Sequence, residues 1–152
     1  MTQISNIVDL GRQWFRRTGQ ELVDRIVIHT RDKRLDVDDR PFKPLSQPYG
    51  KRKATGQLRR QDESSRGPNL WLTGDMMSAL STKRVTPRSV LIGWDAFQSE
   101  KLRGNAKRGR VVTKRKKPIA GTIEKWLQKR IDAKTRKNIK KNDTRTVHKL
   151  GR

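Results

Sequence analysis

The sequence predicts an α+β fold: a small antiparallel sheet packed with a long N-terminal helix and a C-terminal helix. Two apolar stripes at three-four spacing lie towards the two ends of the chain. Short β-rich segments lie between them. Clusters of Gly, Pro, Asp and Ser separate the pieces.

The first stripe runs from Ile4 to about Ile28. Ile4, Ile7, Val8, Gly11, Trp14, Phe15, Leu22, Val23, Ile26 and Val27 recur at helical spacing, with Arg12, Arg16, Arg17 and Arg25 on the polar side. Residues 31–48 hold Pro41, Pro44 and Pro48 and read as turns. Residues 50–67 are basic and poor in apolar residues, a loop with room for a short helix. Next comes the island NLWLTGDMMSAL, Asn69 to Leu80, in which Asp75 is the single charged residue. Leu70–Leu72 suits a short strand, with Leu70 and Leu72 on one face and Trp71 on the other. Thr73-Gly74 breaks the period, and Asp75 suits the first turn of a helix carrying Met76, Met77 and Leu80. Lys83–Val85 and Ser89–Trp94 read as strands joined at Thr86-Pro87-Arg88. Residues 95–117 read as a basic extended loop. Pro118 then opens the last helix, with Ile119, Ile123, Trp126, Leu127 and Ile131 as its stripe. Residues 1–132 form the predicted domain, and 133–152 a basic C-terminal arm.

Composition narrows the function. Hydrophobic residues are 31% of the 152 and charged residues 35%, so the core is small. There is no Cys, which excludes disulfides and thiolate metal sites. The start MTQISNIVDLGRQW lacks a basic segment followed by an apolar run, so no signal peptide is expected. No run is long enough to predict a membrane span. His29 and His148 are isolated and make neither a zinc site nor an acid–base pair. Asp36, Asp38 and Asp39 would need Gly and Glu where Pro41 and Gln47 stand to form a calcium loop, so they read as turn formers. GNAKRG, Gly104 to Gly109, has the glycine spacing of a phosphate loop but lacks the following Lys-Ser/Thr. An enzyme, a cofactor and a metal site are therefore not expected.

The net charge is +23, unevenly placed. Residues 1–100 carry 18 Lys/Arg against 12 Asp/Glu; residues 101–152 carry 20 against 3. Lys101, Arg103, Lys107, Arg108, Arg110, Lys114, Arg115, Lys116 and Lys117 are nine cations in seventeen residues with no acid among them. Such a run contacts double-stranded DNA, or acidic patches on a protein partner.

The order of the pieces resembles the virion morphogenesis family of tailed bacteriophages, the tail-completion and neck proteins. The resemblance spans about residues 5 to 132. Phe42, Pro44, Leu45, Ser46, Tyr49, Lys51 and Lys53 match its aromatic, Pro-Leu-Ser, Tyr and basic-pair segment. Leu70, Leu72, Thr73, Gly74 and Met76 match its Leu-x-x-Thr-Gly-x-Leu-like element. Ile92-Gly93 matches a strand end, and Lys117, Pro118, Ile119, Ala120 and Gly121 a basic-Pro-apolar-apolar-Gly element. Between Asp95 and Arg110 the chain has FQSEKLRGNAKRG where the family often carries Tyr-Ala and His-Gln-Gly. The resemblance implies a structural protein of the virion. It would join head and tail as a homo-oligomeric ring, a hexamer by family likeness, beside adjacent neck and tail proteins. Its expected location is the neck or upper tail, and the host cytoplasm during assembly, with no membrane. Trp71, Met76, Met77 and Trp94 are the expected subunit or partner contacts. The reading from charge alone is a small, basic, non-sequence-specific nucleic-acid-binding protein.

Overall fold

The computed structural model describes residues 2–5, 10–55 and 75–150, of which 2–5, 53, 54, 75 and 141–150 are described by backbone alone. The elements in chain order are β1 (Thr2–Ser5), α1 (Arg12–Arg31), α2 (Gln47–Ala54), α3 (Asp75–Ser78), β2 (Ser81–Val85), β3 (Ser89–Gly93), α4 (Ala96–Lys107) and α5 (Gly121–Leu150). The α+β class read from the sequence is the class observed, with a three-stranded antiparallel sheet in the order β1-β3-β2.

The N-terminal helix starts later than its periodicity predicts. Residues 2–5 pair antiparallel with β3, Thr2 opposite Ile92 and Ser5 opposite Ser89. This pairing gives β3 a neighbour on both sides and makes it the central strand. Gly11 then sits at φ +89°, a conformation that favours glycine, and its N–H donates to Pro87 O at 3.2 Å. Ile7 and Val8 lie outside the described residues. From Arg12 the stripe behaves as read: Phe15, Thr18, Gly19, Leu22, Val23, Ile26, His29 and Thr30 are buried, the spacing of one helix face.

That face lies on the sheet. Val90 and Ile92 of β3 are buried, alternating with half-buried neighbours. The two strands predicted here form as β2 and β3, β2 beginning two residues earlier and β3 ending one earlier. Their turn is closed by Thr86 N–H to Ser89 O at 2.8 Å. The register shifts between Thr82 and Arg84, a bulge that frees β2 from strict alternation. Thr82 Oγ1 is buried there with no hydrogen-bond partner among the described residues. Thr82→Val removes that orphan at nearly constant shape. It is expected to be neutral or to stabilise by up to about 1 kcal/mol in urea unfolding.

Pro48 opens a helix where the sequence reading had it end a turn segment. It stands in the first turn of α2, where its missing N–H has no intrahelical partner to lose. The largest correction is α4. Residues 95–117 were expected to be extended, yet Ala96–Lys107 is helical. Asp95 stands at its N-cap position, and both Ser99 N–H and Ser99 Oγ donate to Asp95 O at 3.0 Å. Ala, Gln, Glu, Leu, Lys and Arg are good helix formers, but α4 buries no residue fully and so shows no apolar period. The last helix opens at Gly121, three residues after Pro118, because Ile119 and Ala120 are drawn into the core ahead of it. It continues unbroken past residue 132 to Leu150, so the C-terminal arm is the far half of α5.

One apolar cluster joins these pieces. Phe15, Leu22 and Ile26 of α1, Met76 and Met77, Val90 and Ile92, Val112, and Ile119, Ile123 and Leu127 all belong to it.

Candidate functional site: an acidic clasp and a basic face

The residues expected at a subunit contact are placed differently from that expectation. Met76 and Met77 are buried in the chain's own core, and Trp94 beside them donates its indole N–H to Met76 O at 2.8 Å. Packed into the core of their own chain, these three side chains offer a neighbour at most a small edge of Met76 and Trp94. Trp71 lies outside the described residues, as do Leu70 and Leu72.

The turn residues Asp36, Asp38 and Asp39 form a clasp, each carboxylate with its own task. Asp36 Oδ1 accepts the N–H groups of Asp38 at 2.8 Å and Arg40 at 3.0 Å, closing the turn. Asp38 takes Lys114 and Lys117, the latter at 3.5 Å. Asp39, held at φ +61°, receives Thr122 Oγ1 at 2.6 Å and Thr122 N–H at 3.3 Å. It thereby caps the first turn of α5, where the helix dipole favours a carboxylate. Val37 N–H reaches Val111 O at 2.9 Å between them. His29 is buried, and its Nε2–H donates to Asp36 O at 2.9 Å, since a carbonyl can only accept. So His29 supports the clasp from beneath, with Nε2 also 3.7 Å from Asp39 Oδ1. Among the described residues no group of acids and histidines could hold a metal. The turn-forming role read for the three aspartates is observed; the sequence carried no signal for the partners they fasten.

The clasp fixes how the molecule responds to acid. The hydrogen bond from Lys114 lowers Asp38 below its ordinary value of 3.8, with the charges of Lys114 and Lys117 adding to it against partial desolvation. Partial burial pushes Asp39 up, but the two Thr122 hydrogen bonds and the nearby His29 and Lys117 outweigh it and lower the group. Carboxylates lowered on folding contribute stability that is present above 3.8 and is lost as pH falls through the folded values. Melting temperature is therefore expected to drop below about pH 4, and Asp39→Asn to flatten that drop.

The nine cations of 101–117 do not form one free surface. Lys101 Nζ lies 4.8 Å from the centre of the exposed Phe97 ring. Arg108 reaches Gly104 O at 3.5 Å, and Arg110 donates to Pro44 O at 3.4 Å. Lys114 and Lys117 are on Asp38. Arg103, Lys107, Arg115 and Lys116 are exposed. Three of the nine expected contact residues, Arg110, Lys114 and Lys117, thus hold this segment to a distant part of the chain.

A second arrangement, invisible in that run, joins α1 to α5. Arg25 stacks over Trp126 at 4.2 Å, and Arg130 donates to Thr18 Oγ1 at 3.1 Å and to Glu21 at 2.6 Å. This seam fixes the rotation of α5. A groove of about 340 Å³ runs beside it, lined by Glu21, Asp24, Arg25, Lys33 and Thr122 among others. Its two acids are engaged, Glu21 by Arg130 and Asp24 by Gln20. Among the described residues no helix is long and apolar enough to cross a membrane. No family model, curated protein or solved structure matches the chain.

Proposed function

We propose that this chain is a structural assembly subunit of a tailed-phage virion, acting at tail completion or in the neck. Copies form a ring, hexameric by family likeness, that joins head to tail beside the adjacent neck and tail proteins. Its work is assembly, with no catalysis and no cofactor. The observation that carries the reading is the coincidence of motif order and fold. The short motifs from Phe42 to Gly121 follow the family's order, and the chain has the α+β arrangement, a small antiparallel sheet with two long helices, expected of such a subunit. Two of those motifs fall on structural junctions. Ile92-Gly93 ends the central strand, and Lys117 to Gly121 delivers two core residues and opens α5 against Asp39. Trp71 is the proposed contact with a neighbouring subunit.

The competing reading, a free nucleic-acid-binding protein, draws on the +23 charge. Light scattering separates the two after nuclease treatment in high salt, with the chain alone and mixed with tails from a phage that lacks it. A ring subunit has the mass of a defined oligomer or sediments with the tails, and Trp71→Ala weakens that association. A monomer that ignores the tails contradicts the proposal.

A further inference from the structure

We propose that the outer face of α5 is a phosphate-binding row for double-stranded DNA, carried by Lys125, Lys129, Arg136 and Lys140. All four are exposed. At 100° per residue they fall within an arc of about 60°, and Lys125 to Lys140 spans about 22 Å of helix axis. The row lies opposite Ile123, Leu127 and Ile131, which face the core. The seam of Arg25, Trp126, Arg130 and Glu21 sets this rotation, so the core packing and the seam together aim the row outward.

Several features fit duplex DNA. Lys125, Lys129 and Arg136 have no ion-pair partner among the described residues. Exposed Lys137 flanks the row, and the gap between Lys129 and Arg136 is bordered by the small Ala133 on one side and by Asp132, which accepts from Gln128 at 2.8 Å, on the other. A duplex carries one charge per about 1.7 Å of axis, so it sets about 13 phosphates along a 22 Å row. A straight line of cations suits a linear polyanion. Three of the four are lysines, a type depleted from protein–protein interfaces but a good point charge for phosphate. Among the cations of 101–117, Arg110, Lys114 and Lys117 are tied to Pro44 and Asp38, and the rest are divided between α4 and the irregular segment after it, so they do not share one helix face. Only the choice of DNA over RNA leans on the virion reading.

The test is fluorescence anisotropy of a DNA duplex of about 30 base pairs, titrated with the nuclease-treated full chain over a range of salt. The row variant carries Lys125→Gln, Lys129→Gln, Arg136→Gln and Lys140→Gln. A control of equal charge carries Arg16→Gln, Arg17→Gln, Lys51→Gln and Arg52→Gln on α1 and α2. Each neutralised phosphate contact contributes about 0.9 to the slope of log affinity on log salt, so the row variant is expected to lose about 3.6 of that slope. It is expected to bind at least about 100-fold more weakly at low salt, with the control close to wild type. In the wild-type chain, bound duplex should shield Lys125 and Lys129 from acetylation, a reading that needs no variant. Equal losses in row variant and control would overturn the proposal by making net charge the only determinant. So would unshielded lysines, which leave the row to an acidic protein. Loss of DNA binding tests this row alone; attachment to tails tests the assembly reading.

Discussion

Phe15→Ala is expected to destabilise the chain by about 3–5 kcal/mol, enough to leave a small domain close to its unfolding threshold. Phe15 is fully buried, and it meets Trp14 edge-on with ring centres 5.0 Å apart. It lies near the start of α1 on the face that covers the sheet, in the cluster shared by β3 and α5. Truncation removes the largest fully buried side chain among the described residues and leaves a cavity that helix and sheet cannot both close over. Urea unfolding should show the loss, and the melting temperature should fall by roughly 6–20 °C. A change below about 1 kcal/mol would mean that α1 does not pack on the sheet as described.

Gly19→Leu is the second large effect, about 3 kcal/mol at the upper end for overpacking. Gly19 lies in mid-helix, where glycine costs about 1 kcal/mol of helix propensity. The structure gives the compensation. A Cβ at this position would stand 2.7 Å from Val90 Cγ2 and 3.3 Å from Thr82 Oγ1, so α1 can approach the sheet only with no side chain there. Gly19→Ala separates the two effects. Helix propensity alone predicts a gain, whereas the contact with Val90 predicts a net loss, and chemical denaturation decides between them.

The fold class was legible because burial writes a period into a sequence. The stripes of α1 and α5 and the alternation of β3 follow from which residues touch the core. Elements that bury little write no such period. Helix α4 packs through little more than Leu102 and was read as loop for that reason. Strand β1 was absorbed into the helix because Ile4 fits the three-four spacing, while its pairing with β3 is a contact between distant residues. The site divides the same way. The cations of 101–117 were conspicuous as a run, but Asp38 and Pro44, which hold three of them, come from a segment far off in sequence. The row on α5 was readable in principle, since Lys125 and Lys129 stand opposite Ile123 and Leu127 once the helical phase is set. Residues spaced by four and seven form no run in the sequence, although they share one helix face.

The claim that this chain completes the join between head and tail is tested most directly by electron microscopy of lysate from the parent phage with an early stop codon in this gene. The expected result is DNA-filled heads lying beside separate tails, with joining restored when the purified chain is added back. Intact, infectious particles from that lysate would contradict it.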